Sequence, residues 1–305
     1  MNNPGAALRR EIKALQQELG AIILAHFYQL PEIQEVADFV GDSLQLAQQA
    51  AAGSAEVVVV CGVHFMAESA AILNPGRRVL LPELSAGCPM AEMVTAEKLR
   101  AARRRDPELL VVSYVNTSAA VKAESDICCT SSNAERIVLS LPPERPILFV
   151  PDQNLAAWVR RRTGRKIIPW PGYCPLHHAV RREAVLAQKA EHPEALLVVH
   201  PECRPEVTEM ADGVFSTAGI VRFVRESAAR EFIIGTEVGL LHHLQRQCPD
   251  KRFFLASPSL VCPDMKKITL EKLAWSLVRQ QPRVEVAEPI ASQARRALER
   301  MLAIQ

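Results

Sequence analysis

The sequence predicts an α/β protein of three homologous three-layer α/β/α sandwich domains with short parallel sheets, arranged about a pseudo-threefold axis. Three observations predict this fold: apolar runs alternate with helical patterns, polar residues recur at nearly equal intervals, and a Cys-Pro pair marks each interval. Alternating strands and helices imply right-handed crossovers and therefore parallel sheets. We expect the domains over 1–90, 91–175 and 176–262, with the tail 263–305 joining the first.

The predicted strands fall into three sets, each with one member per repeat. Apolar runs of about five residues, rich in Val and Ile, are typical of strands buried on both faces. The first set, which ends in polar pairs, is AIILAHFY, LLVVSYVN and ALLVVHPE. The second set is AEVVVVCG, RPILFVPD and REFIIGTE, and the third, which leads into the cysteines, is RRVLLPEL, RKIIPWPG and KRFFLASP.

Helical patterns separate these strands. They are predicted in IQEVADFVGDSLQLAQQAAAG, AEKLRAARRRDPE, REAVLAQKAEHPE and AGIVRFVRESAAR, and in the tail segments TLEKLAWSLVRQQ and PIASQARRALERMLAIQ. The first tail helix is similar to the helix that opens each repeat. We expect it to pack onto the first domain and close a ring.

The repeat is clearest at the Cys-Pro pairs of GCPM, YCPL and VCPD. Cys88 and Cys174 are 86 residues apart, and Cys174 and Cys262 are 88 apart. Polar pairs follow the first strand of each repeat with the same period: His26 with Tyr28, Tyr114 with Asn116, and His200 with Glu202. Seventeen residues after the first members come Ser43, Ser131 and Thr217. Because ligands of open parallel sheets bind beyond the carboxyl ends of the strands, we expect these positions to converge on one site.

Composition and charge restrict the function classes. The chain of 305 residues is 49% hydrophobic with a formal net charge of +2, so nothing indicates a nucleic-acid or membrane surface. No apolar stretch is long enough to span a bilayer, and the amino terminus lacks the apolar core of a signal peptide. A cytoplasmic protein is therefore expected, whose cysteines are ligands, catalysts or buried thiols rather than disulfides.

Three converging thiolates suit several kinds of site. A [4Fe–4S] cluster held by three cysteines keeps one iron open as a Lewis acid. Zinc could instead take the three cysteines with His177, although no C-x-x-C spacing is present. The remaining cysteines lack the register and are expected to be ordinary buried thiols: Cys61, Cys128, Cys129, Cys203 and Cys248. A non-catalytic iron–sulfur sensor, a zinc-dependent lyase and a sugar-phosphate-binding module therefore stay open as alternatives.

Most of the chain resembles the quinolinate synthase family, which carries out the second step of de novo NAD synthesis from aspartate. The resemblance rests on AHFYQLPEIQEVADFVGDSL, CGVHFMAESAAIL, AGCPMAEM, SYVNTSAAVKAESD, CTSSNA, CPLHHAV, VHPEC, STAGI, GTEVGLLHHL and CPDMKKITLEKL. It implies three homologous domains around a [4Fe–4S] cluster with one labile iron, whose ligands fall on Cys88, Cys174 and Cys262. Some relatives carry extra cysteines before the last ligand, where this chain has Ser259, and the difference concerns only a redox disulfide there.

The resemblance also implies the reaction. Iminoaspartate condenses with dihydroxyacetone phosphate to give quinolinate, phosphate and water, and an L-aspartate oxidase or dehydrogenase supplies the iminoaspartate. The implied cluster acts as a Lewis acid in the dehydration. These substrates carry two carboxylates, a phosphate and reactive carbonyl carbons.

Resemblance and register together assign roles to the polar residues. Hydroxyls that precede or open helices are expected to bind anions, a role compatible with N-capping: Ser43, Ser131, Ser216 and Thr217. His26, His200 and His177 are expected to contact substrate, with His200 also placed among the catalytic residues. Tyr28, Tyr114 and Asn116 would orient carbonyl and hydroxyl groups, and Tyr28 would relay protons. Glu202 is the expected general base, with a pKa raised by burial near other anions.

Overall fold

The computed structural model describes residues 4–304 of the chain. The strands are β1 (Ala21–His26), β2 (Phe39–Gly41), β3 (Val57–Cys61), β4 (Arg78–Leu80), β5 (Leu110–Tyr114), β6 (Ile127–Cys129), β7 (Ile147–Val150), β8 (Ile167–Pro169), β9 (Leu196–Val199), β10 (Gly213–Val214), β11 (Glu231–Gly235) and β12 (Arg252–Leu255). They form three four-stranded parallel sheets ordered β2-β1-β3-β4, β6-β5-β7-β8 and β10-β9-β11-β12. The predicted α/β class with short parallel sheets is confirmed, and the same strand order appears three times.

Helices separate and cover the strands. They are α1 (Pro4–Glu18), α2 (Pro31–Val36), α3 (Ser43–Ala52), α4 (His64–Leu73), α5 (Pro89–Glu92), α6 (Ala96–Arg105), α7 (Ala119–Ala123), α8 (Ala134–Ser140), α9 (Gln153–Thr163), α10 (Pro175–His178), α11 (Arg182–Glu191), α12 (Pro205–Thr208), α13 (Thr217–Glu226), α14 (Gly239–Gln247), α15 (Leu270–Arg279) and α16 (Ile290–Ala303), with a 3₁₀ turn at Asp264–Lys266. Each sheet lies within one expected repeat, while the exact domain boundaries stay a prediction. Within residues 4–304, no helix combines the length and the apolarity needed to cross a membrane.

Three short edge strands, β2, β6 and β10, are absent from the sequence prediction. The single helix expected over IQEVADFVGDSLQLAQQAAAG is wrong, because the chain forms α2, β2 and α3 there. An aspartate before each edge strand explains the break: a carboxylate oxygen accepts the backbone N–H of a residue 15 positions earlier, in the central strand. The pairs are Asp38 with Ile23, Asp126 with Val111 and Asp212 with Leu197, each at 2.7 Å. These bonds hold the chain beside the central strand, where it pairs as an edge strand.

Each repeat contacts another through the residue four positions after the end of its third strand. These residues are Gly239 after β11, Asn154 after β7 and Phe65 after β3. Gln34 of the first repeat donates to the Gly239 carbonyl of the third at 2.9 Å. Asn154 of the second repeat donates to the carbonyl of Glu202 in the third at 2.9 Å. The Lys122 ammonium of the second repeat lies 5.5 Å from the ring centroid of Phe65 in the first. Each repeat thus touches the other two, which supports the pseudo-threefold arrangement that the sequence predicts.

The tail contributes two helices to this assembly. The amphipathic helix α15 packs against α1, and α16 packs against α4 of the first repeat and against α7 and β6 of the second. Buried Ala294, Leu298 and Met301 form the inward face of α16. The tail therefore contacts both the first and the second repeat.

Candidate active site

A cavity of about 260 Å³, here called the inner cavity, lies where the carboxyl ends of the three sheets meet. Almost every predicted site residue lines it: His26, Tyr28, Ser43, Cys88, Tyr114, Asn116, Ser131, Cys174, His177, His200, Glu202, Thr217 and Cys262. Ser216 does not line it. The structure thus brings together residues that are spread over more than two hundred positions of the chain.

The three predicted metal ligands occupy equivalent local structures. Cys88 and Cys174 are the N-cap residues of α5 and α10, with proline at the first helical position, and Cys262 precedes Pro263 and the 3₁₀ turn. Proline suits the start of a helix because its φ is fixed near helical values and no N–H is needed there. In each repeat, therefore, a loop ends at the cysteine, and a helix or a 3₁₀ turn begins at or directly after the proline.

Buried carboxylates hold two of these cysteine loops. Asp152 accepts the backbone N–H of Cys174 at 3.1 Å, and Glu237 accepts that of Cys262 at 3.0 Å. Glu237 also pairs with the ammonium of Lys266 at 2.9 Å. Sequence analysis missed both acids, although each lies just beyond a predicted strand, where the polar pairs also lie.

The donor set fits an iron–sulfur cluster. All eight cysteines are free thiols, and three of them, one from each repeat, line the inner cavity. Burial raises the pKa of the Cys88 thiol to about 12 and that of Cys174 well above its usual range. A cationic metal would offset the hydration that thiolates at these positions lose. The five cysteines outside the register are buried, as predicted.

His177 lies beside Cys174, and both of its ring nitrogens have hydrogen-bond partners. Its Nδ1 is 2.7 Å from Oε2 of Glu202 and 3.2 Å from Sγ of Cys174. Its Nε2 is 2.9 Å from Oγ1 of Thr236. One ligand atom from each of Cys174, His177 and Glu202 lies within 4.8 Å of the others. Because both imidazole nitrogens already have hydrogen-bond partners, His177 is better suited to proton transfer than to a fourth zinc ligand.

His26 and His200 have the same geometry in the first and third repeats. The backbone N–H two residues later donates to Nδ1 in each, from Tyr28 at 3.2 Å and from Glu202 at 3.3 Å. Burial lowers the pKa of each imidazole to about 3, so both are neutral near pH 7. With Nδ1 accepting, the ring proton resides on Nε2, which in His200 lies 3.1 Å from Oγ of Ser131. Both rings can therefore donate N–H to an oxygen of a ligand.

Glu202 is fully enclosed and accepts hydrogen bonds on both carboxylate oxygens. The Tyr114 phenol donates to Oε1 at 2.6 Å, and Nδ1 of His177 approaches Oε2 at 2.7 Å. Burial alone raises the pKa of Glu202, but the nearby His177 and Tyr114 donors outweigh it and hold the pKa below its usual range. The expected raised pKa is wrong, because donors from two other segments, α10 and β5, stabilise the carboxylate form.

A chain of hydrogen bonds extends from Glu202 across the site. It continues from His177 to Thr236, then from Oγ1 of Thr236 to the Tyr28 phenol at 2.5 Å, and from Tyr28 to Oγ1 of Thr217 at 3.2 Å. Thr236 is the member that sequence analysis missed. It follows β11 directly, but the corresponding positions of the other repeats, Gly62 and Pro151, carry no side-chain donor and so gave no periodic signal.

The predicted anion-binding hydroxyls lie at the starts of helices, and not all of them face the inner cavity. Asp42 caps α3 by accepting Gln45 N–H at 3.0 Å, which leaves the Ser43 hydroxyl without a capping role. Ser216 caps α13 by accepting Gly219 N–H at 3.2 Å, and it faces away from the inner cavity. The direct ligand contact expected of Ser216 stays a prediction, since capping is compatible with anion binding, but this residue does not line the inner cavity. Ser43, Ser131 and Thr217 face inward, as predicted.

Apolar side chains complete the wall, and sequence analysis did not single them out. They are Val63, Phe65, Met66, Met90, Leu176, Val261 and Met265. An apolar wall around a few converging polar groups is the usual character of a small-molecule site. It also lowers the local dielectric constant, which strengthens each interaction with a charged ligand.

Comparison with known proteins agrees with this geometry. Residues 10–303 match the family model described as "Quinolinate synthetase A protein". The chain is 56% identical over 294 residues to a quinolinate synthase of Desulforudis audaxviator (strain MP104C), covering 96% of this chain and 97% of that relative. It is 54% identical over 299 residues to a quinolinate synthase of Methanosarcina barkeri (strain Fusaro / DSM 804), covering 98% of each.

Proposed function

Since this chain belongs to the quinolinate synthetase A family, we propose that it condenses iminoaspartate with dihydroxyacetone phosphate to quinolinate, with loss of phosphate and water. One observation carries the proposal: a thiol from each repeat lines the same cavity as the hydrogen-bonded Glu202 carboxylate. A non-catalytic cluster protein would need the three thiols alone. It would not need a buried carboxylate, two neutral imidazoles and a hydroxyl chain facing them.

We propose that Cys88, Cys174 and Cys262 hold a [4Fe–4S] cluster. When bound, this group supplies an open iron that acts as a Lewis acid toward a departing hydroxyl. Three thiols in one cavity, each with a pKa that burial raises, support this assignment. The zinc alternative is less favoured, because both nitrogens of His177 are engaged with Glu202 and Thr236.

The substrate is proposed to lie between the helix starts and the strand ends. Hydroxyls of Ser43, Ser131 and Thr217 offer donors to the phosphate and carboxylate groups. Neutral His26 and His200 add Nε2–H donors without bringing positive charge. Asn116 also lines the cavity, and its side-chain oxygen has no hydrogen-bond partner within residues 4–304, so it is available to orient a ligand.

Proton transfer is proposed to use Glu202 and His177 together. Forming the ring requires removing protons from carbon and nitrogen and delivering them to leaving oxygens. Because the pKa of Glu202 is low, its carboxylate is a weak base alone, but it stabilises an imidazolium at His177. Thr236 and Tyr28 connect the other nitrogen of His177 to the far side of the cavity, which gives Tyr28 the relay role expected from the sequence.

The apolar wall of the inner cavity serves the same chemistry. Iminoaspartate and the later intermediates hydrolyse in water, so the apolar wall and the contacts between repeats protect them. The proposed partners are these small molecules, with an upstream L-aspartate oxidase or dehydrogenase supplying iminoaspartate. A cytoplasmic location and a role in NAD biosynthesis belong to the same proposal.

The proposal is tested by supplying anaerobically prepared protein with freshly generated iminoaspartate and dihydroxyacetone phosphate. Quinolinate should form, identified by mass and by its ultraviolet absorption. A sample with full iron and sulfide content that forms none would favour the sensor hypothesis. Turnover by a colourless protein that contains zinc would favour the zinc-dependent lyase.

A further inference from the structure

A second cavity, here called the outer cavity, has a volume of about 500 Å³ and lies behind the same helix starts. Its lining comes from all three repeats: Phe27, Phe39, Val40, Asp42, Leu44, Gln45, Ser132, Arg136, Ser216, Ala218, Gly219, Val221, Arg222, Arg225 and His243. None of the functions argued above uses its charged groups. The inner cavity has no arginine in its lining, so the two cavities differ sharply in charge.

A thin wall of helix starts separates the two cavities. The Ser132 hydroxyl lies 2.7 Å from Oδ2 of Asp42 and 2.8 Å from Oγ of Ser216, so one residue of each repeat meets at this point. These three residues line the outer cavity. Asp42 also lines the inner cavity, as do the immediate chain neighbours of the three residues: Ser43, Ser131 and Thr217. The two cavities are therefore separated only by these helix starts, and two hydrogen bonds join the three residues.

Positive charge dominates the outer cavity. Its cations are Arg136 on α8 and Arg222 and Arg225 on α13, and within residues 4–304 its lining includes a single carboxylate, that of Asp42. Both Asp42 oxygens accept hydrogen bonds, from Gln45 N–H and from Ser132. Burial lowers the pKa of His243 to about 4, so this imidazole is neutral near pH 7. The outer cavity thus contains three guanidinium groups and one carboxylate, and both oxygens of that carboxylate already accept hydrogen bonds.

Two of the arginines have no competing partner. Arg225 lies 3.7 Å from the carboxylate of Glu226. Arg136 and Arg222, both exposed, have no ion pair or side-chain hydrogen bond to any residue between 4 and 304, and they belong to different repeats. Guanidinium groups that line one cavity from two elements are suited to the oxygens of a phosphate, which accept forked hydrogen bonds.

We propose that the outer cavity is a second binding site for a phosphate group, held by Arg136 and Arg222 outside the wall of the inner cavity. The binding itself does not depend on the proposed function. If that function holds, the ligand is either the phosphate that the reaction releases or the phosphorylated triose before it enters. The hydrogen-bonded meeting point of Asp42, Ser132 and Ser216 then lies on the path between the two cavities.

Calorimetric titration with inorganic phosphate, and separately with dihydroxyacetone phosphate, tests this at constant ionic strength. Arg136→Gln and Arg222→Gln should each weaken phosphate binding about three- to tenfold, and the double variant should abolish one binding event. Arg104→Gln, which removes an exposed arginine of α6, is the matched control and should bind as the unmodified protein does. Ser43→Ala, on the inner face of the wall, should leave the outer binding event in place.

Comparing inorganic phosphate with dihydroxyacetone phosphate shows which of the two the outer cavity binds. Loss of binding for both would show that the cavity accepts the phosphorylated triose, and loss for inorganic phosphate alone would identify the released product. Equal phosphate affinity in the double variant, the control and the unmodified protein would overturn the inference. Since binding is measured without turnover, a protein that forms no quinolinate but loses phosphate binding in the double variant would contradict only the proposed function.

Discussion

The phenol of Tyr114 donates a 2.6 Å hydrogen bond to Oε1 of Glu202, although the two residues lie 88 positions apart. Tyr114 is the last residue of β5 and Glu202 follows β9, which are central strands of the second and third sheets. Burial raises the pKa of the Tyr114 phenol, so it stays protonated and donates. The protonation of the Glu202 carboxylate therefore depends on how the second and third repeats are placed relative to each other.

Replacing Tyr114 with Phe should remove this donor while keeping the ring. A hydrogen bond to a charged acceptor contributes about 1.5–3 kcal/mol, so quinolinate formation should fall about ten- to a hundredfold with the iron content unchanged. Tyr173→Phe is the matched control, since Tyr173 stacks on His178 and its phenol has no hydrogen bond to any residue between 4 and 304. Equal rates for both variants, measured as product per iron, would remove Tyr114 from the reaction.

Replacing Glu202 with Gln should stop turnover and leave the cluster in place. The amide keeps the size of the side chain but cannot accept from Tyr114 and His177 at once or stabilise an imidazolium. A loss of about a hundred- to ten-thousandfold in quinolinate formation is expected. The exposed Glu206→Gln, whose partner is Arg204, should keep normal turnover. A Glu202→Gln rate within about threefold of the unmodified protein would rule out the carboxylate as a proton-transfer group.

Replacing Cys174 with Ser should abolish the cluster and the activity together. A serine hydroxyl stays protonated near neutral pH and is a poor ligand for iron, so two thiolates would remain. Iron, acid-labile sulfide and visible absorption should all fall, with no quinolinate formed. Cys248→Ala removes a buried thiol that lies outside the inner cavity and should retain all of these properties. Normal turnover in Cys174→Ser would exclude an obligatory cluster.

His26 should make the cluster-free protein less stable in acid. Burial lowers its pKa to about 3, whereas an unfolded histidine titrates near its ordinary value of 6.5. Because the folded state disfavours the proton, the contribution is full above pH 6.5 and is lost as pH falls from 6.5 toward 3. Between pH 7 and pH 5, this residue alone should account for a loss of about 2 kcal/mol in the free energy of unfolding.

Urea unfolding at the two pH values measures this contribution. His26→Gln should lose about 2 kcal/mol less than the unmodified protein over the same interval. His64→Gln provides the matched control, because it removes a histidine whose side chain is 45% exposed. The same acid loss in His26→Gln as in the unmodified protein would show that His26 accepts a proton in the folded state.

Periodic features could be predicted from the sequence, and features that depend on one residue could not. Cys88, Cys174 and Cys262 were found because three copies of one pattern reinforce each other, as were the strands before them. The edge strand β2 was missed because its position depends on a single side-chain bond, from Asp38 to Ile23 N–H. Residues around it also have helical spacing, so local pattern favoured a helix.

Electrostatic properties of the site were the least predictable. The sign of the Glu202 pKa shift depends on Tyr114, which the second repeat supplies, and on His177, which a distant segment of the third repeat supplies. The burial of Glu202 could be inferred from its position at a strand end, but the hydrogen-bond donors to its carboxylate could not. Thr236 was likewise invisible, because its role comes from its distance to His177 and Tyr28 rather than from any motif.

The most direct test of the central claim is quinolinate formation across samples reconstituted anaerobically with increasing iron and sulfide. The account predicts a rate proportional to the content of intact cluster, no product from the cluster-free protein, and no product from Glu202→Gln at full cluster content. Quinolinate from cluster-free protein, or none from protein with a full complement of cluster, would contradict it.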